Sequence, residues 1–499
     1  MTKKDFSTDL NPLVRHLNKT PNDFTKDDII QFIQDNEIKM LNFRYTGGDG
    51  RLKSLNFVVS NSAYLEQVLS HGERIDGSSL FSFVEAGSSD LYVIPRFRSA
   101  FVDPFSELPT LCLLCSYYTK DGKPLEVSPE YILKKAAKSF TAVTGMEFQA
   151  MGELEYYVVG EKENHFLATD QKGYHESSPF AKFEDFRMEA MYQIACAGCM
   201  VKYGHSEVGN FTLGDKIYEQ NEIEFLVTDV EDAANQLLIS QWIIRKLAYQ
   251  YGLDVTFAPK ITAGKAGSGM HIHTRIVKNG KNCMVTDGKL NDTAKAAIAG
   301  FMQCAPSLTA FGNRNPTSYF RLVPHQEAPT TICWGDRNRS VLVRVPLGWS
   351  TKDDMVANEN PFEVSVEMDG SEKQTVEFRS PDCSADVYLL LAGLTVAARS
   401  GFEMENPLTL AEKTYVDVNI FEEQHKNRVA SLNCLPASCR ESAEMLDKQR
   451  EIYERHGVFP AQIIDDLIKE LKKFNDKDIR KELKNNPEKI MEMVQKYYY

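Results

Sequence analysis

Four short stretches of this chain repeat one pattern: two ionisable side chains separated by a single residue, inside an otherwise β-like run. They are Glu153-Leu-Glu155, Glu222-Ile-Glu224, His271-Ile-His273 and Glu377-Phe-Arg379. Residues i and i+2 of a strand face the same side, so each pair commits two charged or chargeable groups to one face. Any one pair reads more readily as the solvent face of a half-exposed strand. The set reads differently. Burying that many ions is costly unless an opposite charge or a metal compensates them. Carboxylates with an imidazole suit Mg²⁺ or Mn²⁺ better than zinc. Glu207, in His205-Ser206-Glu207-Val208, is a further candidate ligand.

Two other features sharpen this. Residues 258–275 read A-P-K-I-T-A-G-K-A-G-S-G-M-H-I-H-T-R, a glycine-rich loop that runs directly into the paired histidines. Its small residues let a backbone approach a ligand closely. Arg314, Arg321, Arg337, Arg339 and Arg344 then cluster within 313–344. Arginine offers a planar fork to carboxylate or phosphate. Metal-binding acids, a glycine-rich loop and arginines are together the parts list of phosphoryl transfer.

The flanking sequence divides the chain. Residues 1–22 read as a short helix or loose arm. Residues 23–125 read as a small mixed α+β domain: a helix capped by Thr25, a hairpin around Gly47-Gly48-Asp49-Gly50, a helix over 63–71, then further strands. Ser128-Pro129-Glu130 opens a helix to about 143, and the larger domain, 126–499, begins just before it. Its expected elements are strands at 148–159, 222–227, 269–277, 341–346 and 375–380, with helices at 184–203, 230–251 and 291–304. Helices then dominate, ending in a surface tail from about 455. Residues 350–374 form an acidic insertion.

A net charge of −13 over 499 residues argues against nucleic acid as a partner. No apolar run approaches a bilayer span, and the basic start lacks an apolar stretch behind it, so no membrane partner and a cytoplasmic location are expected. The pairs Cys112/Cys115 and Cys196/Cys199 lack the turns of a zinc knuckle and are read as reduced, buried thiols.

Across about 25–450 the motifs resemble the type I glutamine synthetases. The residues carrying the match are Asp76-Gly-Ser-Ser79, Gly152-Glu-Leu-Glu155, Lys172-Gly-Tyr174, His205-Ser-Glu-Val208, Gln220-Asn-Glu222-Ile and Gly267-Ser-Gly-Met-His-Ile-His273. Ser318-Tyr-Phe-Arg-Leu-Val-Pro324, Glu327-Ala-Pro329, Trp334-Gly335, Asn338-Arg-Ser340 and Glu377-Phe-Arg-Ser-Pro-Asp382 continue in the family's order. The resemblance implies an α+β fold, with an N-terminal β-grasp domain and a larger catalytic domain on a curved antiparallel sheet. It implies a homo-oligomer, a dodecamer of stacked rings, with active sites between adjacent subunits. It also implies ATP, L-glutamate and ammonium as substrates, with two or three Mg²⁺ or Mn²⁺ ions per site. Glu155, Glu207 and Glu222 would hold one ion, and Glu153, His271 and Glu377 another. His273, Arg339 and Arg344 would meet the nucleotide. Arg321, Arg379 and Gly267 would hold glutamate. Asp76, with Ser79, Tyr174, Glu207 and Glu327, would form the ammonium pocket, with Asp76, Glu327 and Arg339 catalytic.

The chain departs from the family pattern at Ala266, where Asn is usual, and at Thr375, where Arg is usual. Asn419-Ile420-Phe421 lacks the hydroxyl that some members adenylylate, so adenylylation is not expected here. The resemblance leaves two rivals beside ammonia ligation: a γ-glutamyl ligase for a larger amine, and a catalytically silent structural or regulatory homologue.

Overall fold

The computed structural model describes residues 6–82, 84, 87, 89–262, 264–323, 329–348, 353–366, 370–425, 430–483 and 486–498. The N-terminal part supplies strands β1 (Met40–Thr46), β2 (Leu52–Val58), β3 (Glu73–Asp76), β4 (Asp90–Pro95), β5 (Phe101–Val102) and β6 (Thr110–Tyr118). They order as β2-β1-β6-β4-β3, with β5 also on β6, and only the β1–β6 pairing is parallel. Thr25 starts the helix Lys26–Asp35 with a reciprocal capping box to Asp28. Ile29, Phe32 and Ile33 of that helix pack with Phe43, Leu111, Leu113 and Cys115 on one face of the sheet. Leu13 and Val14, from the helix Pro12–Leu17, are buried in the same cluster, so this part of the N-terminal segment is docked and not a loose arm.

Alternation along β6 explains how the two parts join. Leu113 and Cys115 face the N-terminal core, while Cys112 and Leu114 face the larger core with Phe101. Cys112 and Cys115 thus lie on opposite sides of one strand and cannot share a metal ion. Arg96 donates to Asn235 Oδ1 (3.2 Å) and Tyr388 Oη (3.0 Å), and the Arg44 guanidinium stacks 3.9 Å over Trp242. These contacts tie the parts together with polar as well as apolar groups.

The larger part carries β7 (Glu147–Glu161), β8 (Val201–Leu213), β9 (Lys216–Phe225), β10 (Thr228–Asp229), β11 (Asp254–Thr256), β12 (Ile272–Lys278), β13 (Lys281–Asn282), β14 (Val285–Thr286), β15 (Lys289–Leu290), β16 (Trp334–Asp336), β17 (Val343–Val345) and β18 (Val376–Phe378). The main sheet runs β16-β17-β18-β12-β7-β9-β8 and is antiparallel except for β16–β17. Leu154, Ile223 and Ile272 turn one face into the helical core. There the helix Val230–Tyr251 packs so closely that a Cβ on Gly152 would lie 2.8 Å from Leu237. The opposite parity of the same strands carries the charged pairs. Among the described residues no single helix is long and apolar enough to cross a membrane.

Two expectations need correction. The helix expected over 184–203 stops at Cys196, because Gly198 takes φ +84° and turns the chain into β8. The tail is not merely a solvated surface element. The helix Pro487–Gln495 buries Ile490 and Val494 against Tyr157, Phe211, Ala258 and Ile261. Ala258 and Ile261 lead into the glycine-rich loop, so this docking fixes one end of that loop. Ending the chain at 485 is therefore expected to cost about 3 kcal/mol, from exposure of two buried aliphatic side chains and their partners. It should lower the melting temperature by a few degrees and speed amide exchange over 256–268. An unchanged melt and exchange pattern would show that the tail is dispensable to the loop.

Candidate active site

Strand register turns four local pairs into one cluster. On β7 and β9, Glu153 sits opposite Glu224 and Glu155 opposite Glu222. On β8, Tyr203 faces Glu224 and His205 faces Glu222. On the other side of β7, His273 pairs with Glu377 of β18, which pairs with Arg344 of β17. Glu207 lies where the β8–β9 register shifts between Ser206 and Asn210, a bulge of the kind that re-aims side chains beside active sites. Glu153, Glu155, Glu222, Glu224, His271, His273, Glu377, Arg321 and Arg379 are all buried.

Glu153 is the hub. Its two oxygens accept from His271 Nδ1 and His273 Nε2, each at 2.8 Å. The other nitrogen of His273 is hydrogen-bonded to the Thr375 hydroxyl at 2.8 Å, so Thr375 orients this imidazole. Glu377 pairs with Arg379 and Arg344, both at 3.0 Å, and lies 3.5 Å from His271. Arg321 donates to the carbonyls of Ser380 (2.8 Å) and Arg379 (3.3 Å) and sits 3.3 Å from His271 Nε2. Arg379 in turn donates to the carbonyl of Arg339, whose own side chain is exposed.

The glycine-rich loop closes against this cluster. Gly269 N–H donates to Glu155 Oε2 (2.8 Å), and Gln220 Nε2 spans Glu155 and the Gly267 carbonyl, both at 3.0 Å. Ala266 is anchored by its backbone, donating to Gln171 (2.8 Å) and accepting from Tyr157 (2.8 Å). The loop therefore holds its course without the usual Asn.

Among the described residues, ligand atoms within 4.8 Å of one another form three sets: Glu153/His273/Glu377, His205/Glu207/Glu222 and Glu153/Glu222/Glu224. His205 thus joins Glu207 and Glu222, while Glu155 Oε2 is turned to the loop. Glu224 was marked in the sequence by its i, i+2 pairing with Glu222, whereas His205 had no signal as a ligand, since its place opposite Glu222 depends on register.

The electrostatics follow from crowding. Burial opposes ionisation of Glu153, but His273 and His271 outweigh it and hold its carboxyl well below the usual range. Burial lowers the affinity of His273 for a proton, yet Glu153 reverses this and raises it. Glu222 has no imidazole that close; the His205 ring stands 3.9 Å away. Burial, and then the charges of Glu153, Glu155, Glu207 and Glu224, push it well above the ordinary carboxylate value. His205 is lowered chiefly by burial. A donor set with this surplus of negative charge fits divalent cations.

Four expected members, Asp76, Ser79, Tyr174 and Glu327, lie away from the buried cluster or outside the described residues. Asp76 and Ser79 are exposed on the N-terminal part; Ser79 Oγ donates to Asp76 Oδ2 (2.7 Å) and Ser78 Oγ to Oδ1 (2.7 Å). Hydrogen bonds from Ser78, Ser79 and Ser89 bring the Asp76 carboxyl down to about 2. Tyr174, about half exposed, stacks on His175 and meets the His205 ring edge-on at 5.4 Å. Glu327 falls outside the described residues.

A cavity of about 790 Å³ opens at the β16–β17 edge, lined by Trp334, Asp336, Arg337, Leu347, Lys295 and Tyr415 among others. It combines an aromatic pair, Trp334 and Tyr415 at 4.8 Å, with cationic groups. Trp334 belonged to a recognised motif and Arg337 to the arginine cluster; Lys295, Asp336, Leu347 and Tyr415 did not announce themselves in sequence.

Fold and site together define a β-grasp domain joined to a sheet-based catalytic domain with an acidic, cation-ready face. The comparisons agree. Residues 37–120 match the family model "Glutamine synthetase, beta-Grasp domain", and residues 126–488 match "Glutamine synthetase, catalytic domain". Glutamine synthetase of Methanococcus maripaludis is 28% identical over 441 residues, covering 86% of this chain and 91% of that protein. Glutamine synthetase of Clostridium saccharobutylicum is 29% identical over 443 residues, covering 87% and 91%. The fold is shared with Plasmodium falciparum glutamine synthetase (TM-score 0.74, 19% identity, 91% and 96% covered) and with a GmaS/ADP complex (0.73, 20%, 91% and 98%). The chain belongs to the glutamine synthetase family, and is a ligase of that family.

Proposed function

We propose that this chain joins ammonium to the side-chain carboxylate of L-glutamate, consuming ATP and giving L-glutamine, ADP and phosphate through γ-glutamyl phosphate. The observation that carries the reading is the convergence of buried carboxylates, imidazoles and arginines on one sheet face, near the edge that bears a nucleotide-sized cavity.

Two or three Mg²⁺ or Mn²⁺ ions would be held by Glu153, Glu155, Glu207, Glu222, His271 and Glu377, with His205, His273 and Glu224 in reach of the same sets. Bound there, the ions would supply positive charge to offset that on the transferring phosphoryl group. The chain's own groups do the rest. The cavity takes the base and ribose, and Arg344 and the exposed Arg339 face the phosphates. Arg321 and Arg379, locked by carbonyls and Glu377, present fixed positive charge to glutamate's carboxylates. Gly267 adds backbone groups.

Asp76, ionised at neutral pH, attracts ammonium and takes its proton. It is exposed on the N-terminal part and accepts from its own loop's Ser78 and Ser79; by family pattern we assign it to the site of an adjacent subunit in a ring-shaped homo-oligomer, a dodecamer. Tyr174, Ser79 and Glu327 complete that pocket. All ten cysteines are free thiols, which suits a reducing, ATP-rich cytoplasm.

The test is phosphate release from ATP with glutamate and Mg²⁺ or Mn²⁺, across ammonium, methylamine and polyamines. Ammonium-dependent release is expected, reduced about 10²-fold or more by Asp76→Ala. Release only with a larger amine would make the chain a γ-glutamyl ligase for that amine. No release from folded protein would favour a silent homologue.

A further inference from the structure

The set His205/Glu207/Glu222 holds an imidazole where the resemblance implied three carboxylates, Glu155, Glu207 and Glu222. His205 is built as a ligand is built. Its Nδ1 lies 3.1 Å from the carbonyl oxygen of Ser206. A carbonyl only accepts, so Nδ1 carries the proton and Nε2 keeps its lone pair. A backbone carbonyl on the remote ring nitrogen is the usual device that fixes tautomer and orientation in a metal-bound histidine. Nε2 points to Glu222 Oε2 at 3.9 Å. That gap is too long for a hydrogen bond, but two metal–ligand bonds of about 2.1 Å bridge it.

The ring is held from several sides. His175 packs 4.4 Å from it, Tyr174 meets it at 5.4 Å and Tyr203 at 6.0 Å. His175 itself sits at φ +57°, an uncommon conformation for a non-glycine residue, and its N–H donates to the Ser206 carbonyl at 2.9 Å. One carbonyl thus anchors the His205 ring and the His175 backbone. Glu155, the expected third ligand, has Oε2 committed to Gly269 and Gln220.

We propose that His205 Nε2 is a direct ligand of the divalent ion held by Glu207 and Glu222, and that this imidazole makes the site select Mn²⁺ over Mg²⁺. An imidazole nitrogen binds first-row transition ions, Mn²⁺ included, more readily than it binds the hard Mg²⁺, which keeps to oxygen ligands and water. The inference rests on the reading of this face as a divalent-metal site, and the experiment separates the two.

The full-length protein is titrated with Mn²⁺ by electron paramagnetic resonance of the free ion, with Mg²⁺ as competitor, and ¹⁴N modulation of bound Mn²⁺ is recorded. In His205→Ala, one class of site is expected to lose about tenfold or more in Mn²⁺ affinity, with its Mg²⁺ affinity changed less than about threefold, and one imidazole signal removed. His205→Gln, which returns an oxygen donor and fills the space, should show the same loss of Mn²⁺ preference. His175→Ala, which removes the packed ring but no ligand, should keep the preference within about twofold. Unaltered Mn²⁺ binding and ¹⁴N modulation in folded His205 variants would overturn the assignment alone. A wild-type protein that binds neither ion would overturn the metal-site reading and this inference with it.

Discussion

Glutamate 153 replaced by glutamine should leave a folded protein that has lost ATP-dependent ligation by about 10³-fold in kcat. Gln keeps the shape of the side chain but brings one acceptor oxygen and no charge to two imidazole donors, His271 and His273, each now at 2.8 Å from a carboxylate oxygen. His273 would lose the partner that raises its proton affinity. The structural cost is about that of one hydrogen bond to a charged group, roughly 1.5–3 kcal/mol. That is less than the usual stability of a folded domain, roughly 5–15 kcal/mol, so most molecules stay folded. The checks are steady-state phosphate release beside a thermal melt. Activity within tenfold of wild type would remove Glu153 from the machinery; an activity loss matched by unfolding would make it structural.

Gly269→Ala is expected to lower kcat/KM for glutamate by about 10²-fold while ADP affinity stays within about threefold. A Cβ there would lie 2.4 Å from Arg321 Nη2 and 3.0 Å from His271 Nε2. A long arginine could normally swing aside. Arg321 cannot do so cheaply, because it is buried and donates to the carbonyls of Ser380 and Arg379. The added methyl group must therefore move the guanidinium or the loop. Arg321→Lys removes the same fork by another route, so the double variant should be little worse than the weaker single one. Additive losses, or a matching loss of ADP binding, would place Arg321 outside glutamate recognition.

Local chemistry was legible along the chain, and assembly was not. The i, i+2 pairs announced which strand faces carry charge, because strand alternation is a property of neighbouring residues. The capped helix after Thr25, the glycine hairpin and the helix Val230–Tyr251 were legible for the same reason. Register is another matter. That His205 lies opposite Glu222, or that β7 is flanked by β9 and β12, depends on contacts between segments 17 to over 100 residues apart. The bulge that aims Glu207 arises from a mismatch between two strands and has no mark in either one. Thr375 read as a missing arginine; in three dimensions it orients His273. The tail read as a charged surface, since its apolar face, Ile490 and Val494, is sparse until it meets Tyr157 and Phe211.

The central claim is that this face activates a side-chain carboxylate by phosphorylation. The direct measurement uses L-glutamate labelled with ¹⁸O in its γ-carboxylate, with ATP, ammonium and Mg²⁺ or Mn²⁺, and weighs the phosphate released. Transfer of the phosphoryl group to that carboxylate, followed by attack of ammonia at the carbonyl carbon, leaves one carboxylate oxygen on phosphate. The expected result is one ¹⁸O per phosphate, formed in step with glutamine. Phosphate carrying no label from glutamate, with its new oxygen drawn from water, would contradict the account.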